Sequence, residues 1–120
     1  RFLAQNKERP GVVELPEGMQ YRVLKQGKGP SPEATDSVLI HYRAMFIDGT
    51  VFDESYQRGP QAVSLNKVNS GLSLGLQQMK QGSIYELYIP SELGFGDQGI
   101  PNAVAGGETL IYNVELIEIY

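Results

Sequence analysis

The sequence lacks cysteine and tryptophan, and it has a single histidine, His41, among its 120 residues. Without cysteine there is neither a disulfide nor a thiol nucleophile. One histidine also excludes the usual zinc sites, which draw several ligands from histidine and cysteine. We therefore expect no bound metal. No apolar run approaches the roughly 18 residues that a membrane-spanning helix needs, so we expect no membrane span.

Basic residues are absent from the last third of the chain. All ten lysines and arginines lie at or before Lys80, whereas residues 81–120 carry six acidic residues, and the net charge is −4. A nucleic-acid partner requires a cationic track that neutralises phosphates, and this part of the chain has none to offer. We therefore expect no nucleic-acid binding.

Residues 69–82 form the one stretch in the body of the chain with the spacing of a helix. Leu72, Leu76 and Met79 recur at positions i, i+4 and i+7, which places them on one face, and Leu74 widens that apolar stripe. So short a helix does not persist alone in water, so another part of the chain must hold it.

The ends and the glycines of this helix carry further information. Asn69 or Ser70 can cap its start, and Gly82 follows its expected end. Gly71 and Gly75 each cost about 1 kcal/mol relative to alanine inside a helix. A glycine tolerated at that cost usually marks a close backbone approach. We therefore expect this helix to lie tight against strands.

Most of the remaining chain has the pattern of strands. Residues 37–46 alternate between an apolar and a mixed face, and Asp48-Gly49 predicts a hairpin. The other strand-like segments are 18–27, 51–53, 63–65, 84–90 and 109–120. The predicted fold class is α+β, with a twisted antiparallel sheet of five to six strands wrapped over one short central helix.

The first residues differ from the rest. Residues 1–8 have the composition of a helix tail that Pro10 and Gly11 end, although a flexible terminus fits them equally well. We expect residues 1–11 to be the end of an N-terminal helix or a linker, and residues 12–120 to form one folded domain.

Familiar catalytic motifs do not fit this chain. Residues 94–99 match the G-x-G-x-x-G pattern of dinucleotide sites, but Pro101 follows where a helix should face the pyrophosphate. A long glycine-rich connection is more typical of a functional or mobile loop. His41 has no G-x-S-x-G serine, and no second carboxylate is tied to Asp53 by spacing. A nucleotide enzyme, a hydrolase triad and a paired-carboxylate site are therefore disfavoured.

Four aromatic residues on separate segments suggest a pocket: Tyr42, Phe52, Phe95 and Tyr112. Core packing is the default explanation for aromatic residues in strands. However, a sheet wrapped over one helix leaves an open end. Aromatic rings that converge there, below the glycine-rich loop, would line a concave apolar pocket.

Four segments of the sequence resemble the FKBP family of peptidyl-prolyl isomerases: IHYRAMFIDGTVFDES, VNSGLSLGLQQMKQG, YIPSELGFGDQG and TLIYNVELIEI. They occur in the family's order and spacing over about residues 18–120. The N-terminal lead is similar to the bacterial branch that includes the macrophage infectivity potentiator (Mip) proteins, in which a helical N-terminal region forms dimers. The resemblance implies a homodimer through that region and a location in the bacterial cell envelope or periplasm, with the cytoplasm as the alternative.

The resemblance also implies site residues by position. The catalytic positions are Tyr42, Phe52, Asp53, Asn69, Phe95 and Tyr112, and the substrate-binding positions are Val63, Val68, Leu72, Ile100 and Val104. Four of these positions depart from the family pattern. Val63 replaces a phenylalanine, Asn69 replaces an isoleucine, Leu72 replaces a tryptophan and Phe95 replaces a tyrosine. These departures predict a wider, shallower and wetter pocket, with weakened activity and weak binding of macrolide inhibitors.

The function that the resemblance implies is peptidyl-prolyl cis-trans isomerisation of X-Pro bonds in peptides and unfolded proteins, which assists folding and needs no cofactor. The alternative is a non-catalytic FKBP-like chaperone that holds proline-containing segments in the same groove. In that case Asn69 and Leu72 would mark the loss of catalysis.

Overall fold

The computed structural model describes residues 1–120, and an antiparallel sheet of seven strands dominates it. The strands are β1 (Val12–Glu14), β2 (Gln20–Lys25), β3 (Ser37–Phe46), β4 (Val51–Glu54), β5 (Gln61–Ser64), β6 (Ile84–Ile89) and β7 (Leu110–Ile119). The helices are α1 (Phe2–Asn6), α2 (Ser70–Gln78) and a short 3-10 helix (Ser91–Leu93). The predicted α+β class is confirmed. The sheet exceeds the expected five to six strands because the three-residue β1 extends it beyond β2.

The order of strands in the sheet is β1-β2-β6-β7-β3-β4, and β5 also pairs with β3. The long strands β3 and β7 pair along almost their whole length, from Val38 opposite Ile119 to Phe46 opposite Leu110. β4 and β5 share the other edge of β3, because the chain leaves the sheet over residues 55–60 and then returns. This excursion brings polar side chains beside the open end of the sheet.

The helix α2 packs closely on the sheet through its glycines. Gly71 lies against Ile89 and Gly75 against Leu87, and a β-carbon at either glycine would overlap these β6 side chains. The predicted close approach of helix and strands is therefore confirmed. It also accounts for two glycines in a nine-residue helix, since alanine would be the better helix former but does not fit.

The predicted start of α2 is right, but its predicted end is three residues too late. The Asn69 side chain accepts a hydrogen bond of 2.9 Å from the Leu72 backbone N–H and so caps the helix. The helix ends at Gln78, because Met79 already has extended backbone (φ −87°, ψ 147°). Met79 continues the apolar spacing, yet it is buried by tertiary packing outside the helix. Gly82, with φ +94°, serves the turn into β6 rather than the helix end.

A single core of 17 buried residues lies between α2 and the sheet. The two central strands supply nearly half of it from alternate positions, namely Val38, Ile40, Tyr42 and Ala44 of β3 and Leu110, Tyr112, Val114 and Leu116 of β7. This is the apolar face that the alternation in residues 37–46 predicts. Burying each large side chain of this kind contributes about 1.5–3 kcal/mol.

The helix α1 packs on the opposite face of the sheet from α2. The ring of Phe2 lies 6.3 Å from the ring of the buried Tyr88. The Asn6 side-chain amide donates to Gln20 Oε1 at 2.8 Å, and Gln20 Nε2 donates to the Leu3 carbonyl at 2.9 Å. These buried polar contacts fix the first residues to β2. None of the helices is long and apolar enough to cross a membrane.

Candidate functional site

A cavity of about 200 Å³ opens at the start of α2, where side chains of β3, β4, β5 and β7 meet. Its ten lining residues are Ile40, Tyr42, Asp53, Val63, Lys67, Val68, Asn69, Leu72, Phe95 and Tyr112. Eight of them are positions that the sequence analysis proposed, and the other two are Ile40 and Lys67. Seven of the ten are hydrophobic, so the cavity has an apolar wall with a few polar groups.

Aromatic rings from distant segments converge on this wall. Tyr42 and Tyr112 are buried, and their ring centroids lie 6.1 Å apart. Phe52 meets Tyr112 edge to face at 6.4 Å, and it stacks on Phe46 at 4.7 Å. Phe52 thus supports the wall from behind Tyr112 and does not line the cavity itself. Phe95, from the loop after β6, lies in the lining directly.

The polar groups at one side of the cavity form a closed triangle. The Tyr42 hydroxyl donates to Asp53 Oδ2 at 2.6 Å. Arg58 donates to Asp53 Oδ1 at 3.1 Å and to the Tyr42 hydroxyl at 3.0 Å. Burial, and then the hydrogen bond to Asp53, raise the pKa of Tyr42, so it remains a neutral donor at ordinary pH. The triangle therefore fixes the orientation of the Asp53 carboxylate at the cavity.

At the other side of the cavity, Asn69 provides two kinds of polar group. Its side chain is engaged, since Oδ1 caps α2 and Nδ2 donates to the Tyr112 hydroxyl at 3.4 Å. Its backbone N–H has no hydrogen-bond partner within the protein. Burial raises the pKa of Tyr112 well above its ordinary value, so this hydroxyl is neutral as well. A residue of the cavity lining thus has an unpaired backbone donor.

The structure does not bring Ile100 and Val104 into this cavity. They pair with each other inside the loop, where Ile100 N donates to Val104 O at 2.8 Å and Val104 N to Ile100 O at 2.9 Å. The Val104 side chain is buried in the core, whereas Ile100 is exposed and lines a separate groove. Both residues line that separate groove, and neither is among the residues that line the cavity.

Three residues of the site were not predicted from the sequence: Ile40, Arg58 and Lys67. Ile40 lies two positions before Tyr42 on β3, so strand alternation could have identified it. Lys67 directly precedes Val68, a predicted binding position. Arg58 had no comparable signal, because its approach to Asp53 depends on the path of residues 55–60. No group of three or more histidine, aspartate or glutamate side chains comes together in a way that could hold a metal ion.

Comparison with known proteins agrees with this geometry. The family model described as FKBP-type peptidyl-prolyl cis-trans isomerase matches residues 29–117. The chain belongs to the FKBP-type isomerase family. A second model, described as the domain amino terminal to FKBP-type peptidyl-prolyl isomerase, matches residues 1–23. The FKBP resemblance predicted from the sequence is therefore confirmed.

Individual FKBP relatives place the chain in a bacterial group. The peptidyl-prolyl cis-trans isomerase Mip of Coxiella burnetii is 44% identical over 98% of this chain and 52% of that protein. The crystal structure of FkpA from Escherichia coli has a TM-score of 0.94 at 34% identity, over 98% of this chain and 55% of that one. A crystal structure of a peptidyl-prolyl cis-trans isomerase from Pseudomonas syringae pv. tomato has a TM-score of 0.93 at 36% identity. That match covers 98% of this chain and 87% of the other. The chain spans about half the length of the curated relatives it matches.

Proposed function

We propose that this chain is a peptidyl-prolyl cis-trans isomerase that acts on X-Pro bonds of peptides and unfolded proteins and so assists folding. The observation that carries the proposal is the apolar cavity formed by Leu72, Phe95 and Tyr112, with the unpartnered Asn69 N–H in the same wall. Membership of the FKBP family supports it. The reaction requires no nucleophile, because no covalent bond is broken.

The chemical problem is rotation about a resonance-stabilised bond. The barrier is about 18–20 kcal/mol, and uncatalysed X-Pro exchange takes tens to hundreds of seconds. In the twisted transition state the amide loses its resonance and much of its charge separation. An apolar cavity removes the water that stabilises the planar, more polar ground state. It therefore binds the twisted form better than the planar form, which lowers the barrier.

The residues of the cavity take distinct parts in this proposal. Leu72, Phe95 and Tyr112 enclose the proline ring, while the Asn69 backbone N–H donates to a substrate carbonyl. Because this donor belongs to the backbone, asparagine in place of isoleucine does not remove it. The Asp53 carboxylate, held by Tyr42 and Arg58, orients the substrate at the opposite side.

The substitutions in the wall set the expected strength of binding. Val63 and Leu72 fill less volume than the phenylalanine and tryptophan of the family pattern, so the proline ring is held with fewer contacts. Phe95 lacks the hydroxyl of the tyrosine usual at that position. We propose that turnover and affinity for macrolide inhibitors are both lower than is usual in the family.

The assembly of the complete protein is part of the same proposal. We assign residues 1–11 to the end of a helix and residues 12–120 to the isomerase domain. The match of residues 1–23 to a domain amino terminal to the isomerase supports an N-terminal region ahead of the isomerase domain. We propose that this region is helical and forms a homodimer. The contacts of Phe2 with Tyr88 and of Asn6 with Gln20 hold the end of that helix on the domain.

A protease-coupled assay on a proline peptide tests the enzyme directly. At micromolar protein we expect cis-to-trans conversion to exceed the spontaneous rate. Conversion at the spontaneous rate would reject the activity. That result would favour the alternative function, in which a non-catalytic module holds proline-containing segments in the same cavity.

A further inference from the structure

Lys67 is the one basic residue among the ten that line the cavity. It is exposed, and its side chain makes no hydrogen bond and no ion pair, since the three salt bridges of the protein use other residues. The one acidic residue of the lining, Asp53, is paired with Arg58. Lys67 therefore adds to the cavity lining a positive charge that no ion pair within the protein neutralises.

The position of Lys67 next to α2 adds to this charge. It lies two residues before Asn69, the cap of α2, and the first turn of this helix has no acidic residue. A helix N-terminus carries roughly half a positive charge, which attracts anions. Glu17 lines a neighbouring groove with Val68 and Ser70, but it makes no ion pair with Lys67. The lysine and the helix end act on the same side of the cavity.

We infer that Lys67 makes the cavity favour peptides with an acidic residue directly beside the proline. The inference rests on the proposed function, in which the Asn69 N–H holds a substrate carbonyl. Consecutive Cα atoms are about 3.8 Å apart, so Lys67 lies within about 8 Å of Asn69, and its flexible four-carbon stem spans that distance. A carboxylate on a residue flanking the proline then meets the ammonium group, whereas a lysine there is repelled.

The test uses matched X-Pro peptides that differ at one position only, which is occupied by glutamate, glutamine or lysine. This position lies directly before the proline in some peptides and directly after it in others. Exchange spectroscopy gives kcat/KM without a coupling protease, whose own specificity would interfere. We expect kcat/KM for the glutamate peptide to exceed that for the glutamine peptide by about two- to five-fold, as for a partly exposed charge pair. The value for the lysine peptide should fall below that for the glutamine peptide. The position at which glutamate acts shows which flank faces Lys67.

Charge variants assign the preference to this residue. In Lys67→Gln the glutamate-to-glutamine ratio should fall to about one, and in Lys67→Glu it should invert. Lys80→Glu is the matched control, because Lys80 is an exposed lysine just beyond the opposite end of α2. This variant should keep the wild-type ratio. Raising the salt from 0.01 M to 1 M shortens the Debye length from about 30 Å to about 3 Å and should abolish the preference.

A wild-type ratio of one, or a ratio that persists in Lys67→Gln, would overturn the inference. Equal turnover of all peptides would reject the charge preference and leave the isomerase intact. Turnover of none would reject the proposed function instead. In that case Kd values for the same peptides, measured from amide chemical shifts, test the charge preference. Equal affinities for the glutamate and glutamine peptides would reject it.

Discussion

The Tyr42 hydroxyl donates a 2.6 Å hydrogen bond to Asp53 across neighbouring strands. Ala44 of β3 lies opposite Asp53 of β4, so Tyr42 is a diagonal neighbour on the same face of the sheet. Arg58 completes the contact from the segment after β4. The sheet register, together with one arginine, therefore sets a carboxylate at the edge of an apolar cavity.

Asp53→Asn should lower kcat/KM on X-Pro peptides about tenfold or more, because charge-assisted hydrogen bonds of this kind are worth about 1.5–3 kcal/mol. Its melting temperature should change little, since the carboxylate is partly exposed. Asp48→Asn makes the same chemical change at the exposed tip of the β3–β4 hairpin and serves as the control. Equal activity of the two variants would remove Asp53 from the site.

Phe52→Ala should lower turnover by loosening Tyr112, whose ring it meets edge to face. It should also reduce the free energy of unfolding by about 2 kcal/mol, less than for a fully buried phenylalanine. Phe2→Ala removes a ring that packs on Tyr88 at the opposite face, so it should lower stability while leaving kcat/KM unchanged. Full turnover in Phe52→Ala would contradict the assignment of this ring as a support of the cavity wall.

Leu72→Trp separates an attenuated enzyme from a binding module. The larger side chain should occupy part of the 200 Å³ cavity and add contacts to the proline ring, so kcat/KM should rise several-fold. Suppression of aggregation by a protein that shows no isomerisation, with or without the tryptophan, would favour the module. Circular dichroism and melting temperature verify that the variant is folded.

Stability should fall in alkaline solution, because burial raises the pKa of Tyr42, Tyr88 and Tyr112. A tyrosine with a raised pKa stabilises the fold below its unfolded value of 10.0, and this contribution is lost as pH rises toward the folded value, about 12 for Tyr88. The free energy of unfolding should thus be insensitive to pH near neutrality and decline above about pH 10. Tyr88→Phe should reduce that decline, and an unchanged slope would contradict the assignment.

The strand pattern predicted two aromatic residues of the cavity wall, whereas the FKBP resemblance supplied most of its other predicted residues. Tyr42 and Tyr112 share the buried face of adjacent strands because alternation is fixed by the backbone. Gly71 and Gly75 likewise predicted the contact of α2 with the sheet, since glycine in a helix is unfavourable without such a reason. These inferences depend on local geometry, which a sequence encodes directly.

The rest of the site depends on the path of irregular segments. The pairing of Ile100 with Val104 arises from a loop that closes on itself, with Asn102 at a positive φ of 62°. The ion pair between Arg58 and Asp53 requires the chain to leave the sheet and return. The end of α2 at Gln78, before the apolar spacing ends at Met79, is likewise set by tertiary packing. None of these features follows from periodicity.

The central claim is that the cavity at the start of α2 encloses the proline ring of a substrate. Intermolecular nuclear Overhauser effects between the ring protons of a bound X-Pro peptide and the assigned protein test it most directly. We predict contacts with the Leu72 methyl groups and with the rings of Phe95 and Tyr112. Contacts confined to the separate groove at residues 98–106, or a bound proline that touches none of these three side chains, would contradict the account.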